Sequence, residues 1–158
     1  MTSLHHTSLT VRDLDRSLTF YRDLLGMDVL VTQEKEGGYL ASIVGYKDAH
    51  VRMAHLAFPG GDHRLELFQY LRPEPQGRPG EPRDVGITHV CLVVEDLAPL
   101  YGRLRDAGVQ FYSDPIQLDT GVNAGGTAVY LHDPDGITLE LFQPPRQRAS
   151  DGRDGGDR

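Results

Sequence analysis

The chain of 158 residues contains the pentapeptide Leu-Glu-Leu-Phe-Gln twice, at 65–69 and at 139–143. Upstream of each copy stands a second shared pattern, His-x-x-x-x-Val-x-Asp-Leu, at 6–14 and at 89–97. Two patterns repeated in the same order indicate two copies of one structural unit. Such a duplication places two histidines and two glutamates at equivalent positions.

The spacing of these residues also supports a duplication. His6 lies 60 residues before Glu66, whereas His89 lies 51 residues before Glu140. The separation in sequence from His6 to Gly26 is 20 residues, and that from His89 to Gly108 is 19 residues, where each glycine is predicted to end a helix. The second copy is therefore shorter in its middle strands, where connecting loops vary most easily.

Local patterns predict the elements of the first copy. Alternating residues over 4–12 predict a strand with His6 and Thr10 on one face. Asp13 is a typical N-cap, and apolar residues at helical spacing predict a helix that ends at Gly26. Further strands are predicted at 27–31, 39–44, 51–58 and 64–71.

The second copy repeats this order. A strand at 87–94 precedes a helix that begins after the N-cap Asp96 and ends at Gly108. The remaining strands are predicted at 109–112, 116–118, 127–131 and 137–142.

These elements divide the chain into four segments. Each copy has one predicted strand more than a βαβββ module, and we interpret both copies as βαβββ modules joined by an exposed proline-rich linker. We expect the polar, glycine-rich C-terminal tail to be disordered. The predicted boundaries are 1–71 for the first module, 72–85 for the linker, 86–143 for the second module and 144–158 for the tail.

Composition narrows the possible partners. The formal net charge of −7 argues against binding to nucleic acid. No apolar run is long enough to span a membrane, and the N-terminus has no signal-peptide pattern. The single cysteine, Cys91, cannot form an intramolecular disulfide, which fits a reducing cytoplasm. A small molecule is therefore the expected partner, with neither nucleic acid nor membrane involved.

A histidine or a glutamate in a strand is ordinarily a packing or surface residue. Here, however, Glu66 shares a strand face with Phe68, and Glu140 shares one with Phe142. A carboxylate buried on an apolar face needs a partner. Because these residues recur in both copies, His6, Glu66, His89 and Glu140 are predicted to be ligands of one metal ion.

The other candidates lack this support. We interpret the histidines without a counterpart as packing or surface residues, and we expect His5 to face the helix. Cys91 shares the predicted face of His89 but has no visible base, so it is interpreted as a small buried thiol. The histidines without a counterpart are His50, His55 and His63. His132 lies by a turn, where it could line an entrance, and we interpret it as a surface residue.

Several motifs together resemble those of the vicinal oxygen chelate superfamily. They are the paired histidine openings, Phe20-Tyr21 before Leu25-Gly26, and Asp-Pro-Asp-Gly-x-x-x-Glu-Leu at 133–141. The superfamily includes glyoxalase I, methylmalonyl-CoA epimerase, extradiol dioxygenases and the fosfomycin and bleomycin resistance proteins. The resemblance, from about residue 4 to 143, implies an α+β fold in which two βαβββ modules pair into an open barrel-like mixed sheet with a metal-lined cleft.

The resemblance also implies roles for the four candidate ligands. The set His6, Glu66, His89 and Glu140 is most similar to that of glyoxalase I, and it would bind Ni, Co, Zn, Mn or Fe. Bacterial glyoxalase I has an arginine and an asparagine that help to hold glutathione. This chain departs from that pattern because it has Thr10 and Tyr70 at those positions. The epimerase normally has a glutamine-type ligand in place of Glu66.

The predicted activity follows from this set of ligands. We expect a metal-dependent isomerase, epimerase or lyase that acts on a small hydroxy-carbonyl or acyl-thioester compound through a metal-stabilised enediolate. Glu66 and Glu140 would remove and return the proton, and the protein is expected to form a homodimer. One alternative is an Fe(II) or Mn(II) extradiol dioxygenase, for which His6, His89 and Glu140 suffice. Another is a non-catalytic binding or resistance protein.

Overall fold

The computed structural model describes residues 2–77 and 79–146 of the chain. The first half contains β1 (His6–Thr10), α1 (Leu14–Leu18), a π-helical segment (Thr19–Leu24), β2 (Asp28–Glu36), α2 (Gly38–Val44), β3 (His50–Ala57) and β4 (Arg64–Arg72). The second half contains β5 (Val90–Val93), α3 (Leu97–Asp106), β6 (Ile116–Gln117), β7 (Thr127–His132) and β8 (Thr138–Gln143). None of the helices in these ranges is long and apolar enough to cross a membrane.

The described chain forms two compact units, each with a four-stranded mixed sheet. The described residues of the first unit lie within Met1–His89 and His132–Thr138, and those of the second lie within Val90–Leu131 and Leu139–Arg158. The strand order is β1-β4-β3-β2 in one sheet and β5-β8-β7-β6 in the other. In both sheets the first strand runs parallel to the last strand of its half. The predicted α+β class is confirmed, and neither sheet closes into a barrel.

Strand register shows that the two halves are built alike. In the first sheet, Ser8 of β1 is paired with Glu66 of β4. In the second sheet, Cys91 of β5 is paired with Glu140 of β8. Ser8 and Cys91 each follow the opening histidine of their copy by two residues. Equivalent residues therefore occupy equivalent places in the two sheets, as the duplication predicts.

The repeated pentapeptide is explained by the two faces of a strand. Its leucines are buried in both copies, because successive side chains alternate and these face the helical side. Its closing glutamine lies on the same side and binds the start of a helix. Gln69 Oε1 accepts a hydrogen bond from Leu14 N at 3.1 Å, and Gln143 Oε1 accepts one from Leu97 N at 2.8 Å. The glutamate and the phenylalanine are left on the opposite face.

The first helix begins as the sequence predicts. The side chain of Asp13 accepts a hydrogen bond from Arg16 N at 3.0 Å and so caps one of the free N–H groups of the first turn. After Leu18 the helix continues in π form, which the spacing of apolar residues does not distinguish. It ends before Gly26, whose φ of 79° is favourable for glycine.

The strand predicted at 39–44 is wrong, because this segment is the helix α2. Leu40, Ala41 and Val44 have helical spacing, and they pack against Ala49 and Val51. The helix ends at Gly45, which has a left-handed conformation. A short apolar run fits either a strand or a buried helix, so only its packing decides between them. The strand predicted at 109–112 is also wrong: it is reduced to one bridge, from Phe111 to Leu131.

The proline-rich segment after β4 packs onto the first unit. Pro73, Pro75 and Pro79 are half-buried, although the sequence predicts an exposed linker for this region. The Arg12 guanidinium donates a hydrogen bond to the carbonyl oxygen of Gly77. Residues 144–146 have no regular structure, and the rest of the predicted tail lies outside the described residues.

The Asp-Pro-Asp-Gly turn between β7 and β8 belongs to the first unit. Asp133 is buried, and its carboxylate accepts hydrogen bonds from Tyr21 Oη at 3.0 Å and from the backbone N–H groups of Asp135 and Ile137 at 2.8 Å each. Asp135 in turn accepts a hydrogen bond from the guanidinium of Arg16. The turn is therefore held to α1 and to the π-helical segment by side-chain contacts, of which the one between Asp133 and Tyr21 is buried.

Replacing Asp133 by alanine is expected to lower the free energy of unfolding by about 2–4 kcal/mol, because the buried Tyr21 hydroxyl and the backbone N–H groups of Asp135 and Ile137 all lose their acceptor. Asn is the matched control, since its side-chain oxygen can still accept from the backbone of residues 135 and 137. Urea unfolding measures both variants. Equal losses for Asp133→Ala and Asp133→Asn would contradict this account.

The same carboxyl predicts a pH dependence of stability. Burial raises the pKa of Asp133 above 3.8, against the opposing effect of the hydrogen bonds that it accepts. At pH values between the unfolded-state pKa of this carboxyl and its higher folded-state pKa, the folded protein binds more protons than the unfolded protein. The free energy of unfolding should therefore fall as the pH rises through this window, and Asp133→Asn should flatten the dependence.

Candidate metal centre

His6 and Glu66 lie on adjacent parallel strands of the first sheet, and His6 precedes Ser8, the register partner of Glu66, by two residues. His6 Nε2 lies 3.6 Å from Glu66 Oε2, and the glutamate side chain is only 12% exposed. Two ligand atoms bound to one ion at about 2.0–2.2 Å lie roughly 3–3.5 Å apart. One imidazole nitrogen and one carboxylate oxygen thus already have nearly the separation of neighbouring ligands.

His5 fixes the other side of the His6 ring. The Nδ1 atoms of the two histidines lie 2.8 Å apart, so one of them donates a hydrogen bond to the other. If His6 Nδ1 carries the proton, its Nε2 keeps a free lone pair towards Glu66, which is the tautomer a ligand needs. The expectation that His5 faces the helix is wrong, because His5 is exposed and its ring contacts that of His6.

His55 is the residue of this site that the sequence analysis missed. It lies opposite Glu66 on the antiparallel strand β3, with His55 Nε2 3.1 Å from Glu66 Oε1. Its Nδ1 is buried and has no hydrogen-bond partner among the described residues. The rings of His6 and His55 are 5.7 Å apart. Both oxygens of Glu66 therefore have an imidazole beside them.

The second sheet places a thiol beside its glutamate. Cys91 is paired with Glu140, and partial desolvation, the charge of Glu140 and a hydrogen bond to it raise the pKa of the Cys91 thiol to about 11. The thiol consequently stays protonated at neutral pH. The prediction of a buried cysteine is wrong, since Cys91 as a whole is exposed. Desolvation, Glu140 and Cys91 also raise the pKa of Tyr130, so these three groups lie close together.

The two predicted metal ligands of the second copy differ in their burial and in their location relative to the strands. Glu140 is half-buried on β8, whereas His89 is exposed and directly precedes β5. Within residues 2–77 and 79–146 of one chain, no three His, Cys, Asp or Glu side chains are grouped so that they could hold a metal ion. The structure thus brings His6 and Glu66 together, and the convergence of all four ligands stays a prediction.

A family profile described as the glyoxalase/bleomycin resistance protein/dioxygenase superfamily matches residues 3–141. The chain belongs to this superfamily. The match covers both halves, and the resemblance drawn from the sequence motifs is thereby confirmed at the level of the superfamily.

Individual superfamily members are similar over most of their length. A probable lactoylglutathione lyase of Synechocystis sp. is 31% identical over 142 residues, which are 89% of this chain and 94% of that protein. A 2-epi-5-epi-valiolone epimerase of Actinomyces sp. is 31% identical over 147 residues, or 90% and 80% of the two chains. The crystal structure of a glyoxalase family protein from Bacillus cereus superposes with a TM-score of 0.82 at 22% identity, over 92% of this chain and 95% of that one, and so supports the fold.

Proposed function

We propose that this superfamily member is a metal-dependent enzyme that moves a proton at a carbon next to a carbonyl group. The proposed ligands of the divalent ion are His6, Glu66, His89 and Glu140. The observation that carries the proposal is the 3.6 Å approach of His6 Nε2 to Glu66 Oε2, which is close to the separation of two ligands of one ion. Imidazole and carboxylate together suit Ni, Co, Zn, Mn or Fe.

The remaining ligands would come from the second copy of the repeat. Each copy supplies one histidine and one glutamate, so a complete set needs one first-copy sheet and one second-copy sheet. We propose that these sheets pair either within one chain or between the two chains of a homodimer. The relatives named as a lyase and as an epimerase support an enzymatic rather than a purely binding role.

The ion, when bound, would supply a Lewis acid that stabilises negative charge on the substrate oxygens. The proton is then handled by the chain's own carboxylates. Glu66 is half-buried, and His55 beside its Oε1 holds the carboxylate in one orientation. Its other oxygen, Oε2, would accept a proton from the substrate carbon when it is not bound to the ion, and Glu140, which lies on β8, would return one.

The proposed substrate is a small hydroxy-carbonyl or acyl-thioester compound. Thr10 and Tyr70 carry no positive charge, and glutathione is therefore not the co-substrate that we propose. A small metabolite and a single exposed, protonated Cys91 thiol are compatible with a cytoplasmic enzyme.

Exchange of substrate hydrogen with solvent tests this function directly. In D₂O the metal-loaded protein should introduce deuterium next to the carbonyl of at least one of hydroxyacetone, dihydroxyacetone and the adduct of methylglyoxal with a thiol. Proton NMR measures the exchange, and chelator-treated protein is the control. Oxygen consumption with catechols and no exchange would instead indicate the dioxygenase. A protein that binds no metal, and whose ligand binding survives His89→Ala, would instead be a binding protein.

A further inference from the structure

The first unit contains a cavity of about 610 Å³, and its described lining includes none of the predicted metal ligands or bases. Its walls come from the end of β1, the end of β4, the loop after α2 and the segment after β4. The lining residues are Thr10, Tyr46, Tyr70, Pro73, Glu74 and Gln76, together with Pro75.

The cavity begins on the same strand face as the candidate metal centre. Glu66, Phe68 and Tyr70 alternate with buried leucines along β4 and so point to one side of the sheet. At about 3.3 Å per residue, Phe68 lies roughly 7 Å and Tyr70 roughly 13 Å beyond Glu66. Thr10 is paired with Phe68 and sits at the near end. A group that reacts at Glu66 could therefore extend into the cavity.

Aromatic rings form one wall of the cavity. The ring of Tyr70 lies 5.9 Å from that of Tyr46 and 5.1 Å from that of Phe68. Tyr46 is held there because α2 packs on the sheet through Leu40 and ends at Gly45, directly before it. Rings at these distances offer flat apolar surface against which another ring can pack.

The polar groups of the cavity are almost all uncharged. Its described lining contains no Lys, Arg or His, and Glu74 is the one acidic residue. Hydroxyl groups of Thr10, Tyr46 and Tyr70 and the amide of Gln76 supply hydrogen-bond donors and acceptors. Burial raises the pKa of Tyr70, so its hydroxyl stays neutral. A chain of net charge −7 with such a lining disfavours an anionic group.

We propose that this cavity holds an uncharged, hydroxyl-bearing ring of the substrate, whose reacting carbonyl lies at the Glu66 end. The ring packs against Tyr46 and Tyr70, and its hydroxyl groups bond to the neutral polar groups of the lining. This assignment rests on the proposed function for the location of the reacting end, but the binding of the ring itself does not depend on turnover. If the ring binds in this way, Tyr46 and Tyr70 determine substrate specificity.

Binding of simple ring compounds to the full chain tests the proposal. The probes are myo-inositol as a saturated polyol ring, resorcinol as an aromatic ring whose hydroxyl groups are not adjacent, and glutathione as a charged peptide. Ligand-observed NMR titration should show saturable binding of at least one ring. Tyr46→Ala and Tyr70→Ala should each weaken it about five- to tenfold. Tyr39→Ala is the matched control, because Tyr39 lies on α2, is 66% exposed and does not line the cavity.

The outcomes separate this proposal from the proposed function. Preference for myo-inositol would identify a cyclic polyol as the ring, and preference for resorcinol would identify a phenol. Ring binding that both tyrosine variants leave unchanged, or tighter binding of glutathione than of either ring, overturns the proposal. Intact, tyrosine-dependent ring binding without solvent exchange counts against the proton-transfer function and leaves the cavity assignment standing.

Discussion

Replacing Glu66 by glutamine is expected to lower turnover by about 10²- to 10⁴-fold while most of the bound metal is retained. Glutamine keeps an oxygen that can bind the ion and has nearly the same shape, but it cannot accept a proton. Glu66 is the proposed base because its half-buried carboxylate lies between His6 and His55. The measurement is the rate of solvent exchange, or of product formation, with metal content determined on the same sample.

Glu34 offers a matched control for this change. It lies on β2 of the same sheet, and its Oε1 is 2.6 Å from His50 Nε2, so Glu34→Gln removes the negative charge from a similar histidine–carboxylate pair away from the site. We expect Glu34→Gln to leave turnover unchanged. Oxygen consumption with catechols that Glu66→Gln does not diminish would refute the proton-transfer reading and support the dioxygenase.

Replacing His6 by alanine is expected to weaken metal binding by about 100-fold or more. Loss of a residue that only orients a metal ligand already lowers the metal affinity about 10- to 100-fold, and loss of a ligand itself should lower the affinity at least as much. His89→Ala should have a similar effect if the two copies contribute equally. Competition with a coloured chelator, at fixed pH, measures the affinity of both variants.

The matched control for the histidines is His50→Ala. His50 lies on the same strand as His55, and it pairs with Glu34 instead of Glu66. Its loss should leave metal affinity unchanged. If His6→Ala and His50→Ala bind metal equally well, His6 is not a ligand, and the proposed centre must be abandoned.

Local chemistry in the sequence accounts for much of the fold. Asp13 predicts the start of the first helix because its side chain can cap free N–H groups, and the structure has this cap. Alternation along the pentapeptide predicts buried leucines on one face and Glu66 with Phe68 on the other, and the register of β1 and β4 agrees. Such features depend on residues close together in the chain, which is why they can be predicted from the sequence.

The position of His55 beside Glu66 is not predicted by the repeated residues. His55 has no counterpart in the second copy, and repetition alone therefore predicts a packing or surface residue. Yet the turn at 59–62 is centred between 60 and 61, and counting outwards from it places residue 55 opposite Glu66, as the structure has it. The position of the turn therefore predicts this pairing, whereas the repeated residues do not.

The sequence by itself determined that the chain belongs to the superfamily and contains two copies of one structural unit. Each copy has a histidine and a glutamate at matching places. Short-range periodicity and repetition suffice for this, because they do not depend on how the chain returns to itself. Only the tertiary structure decided that 39–44 is a helix, which carries Tyr46 to the wall of the cavity. It also decided that the Asp133 turn binds Tyr21, because contacts between residues 112 positions apart arise from packing and leave no local pattern.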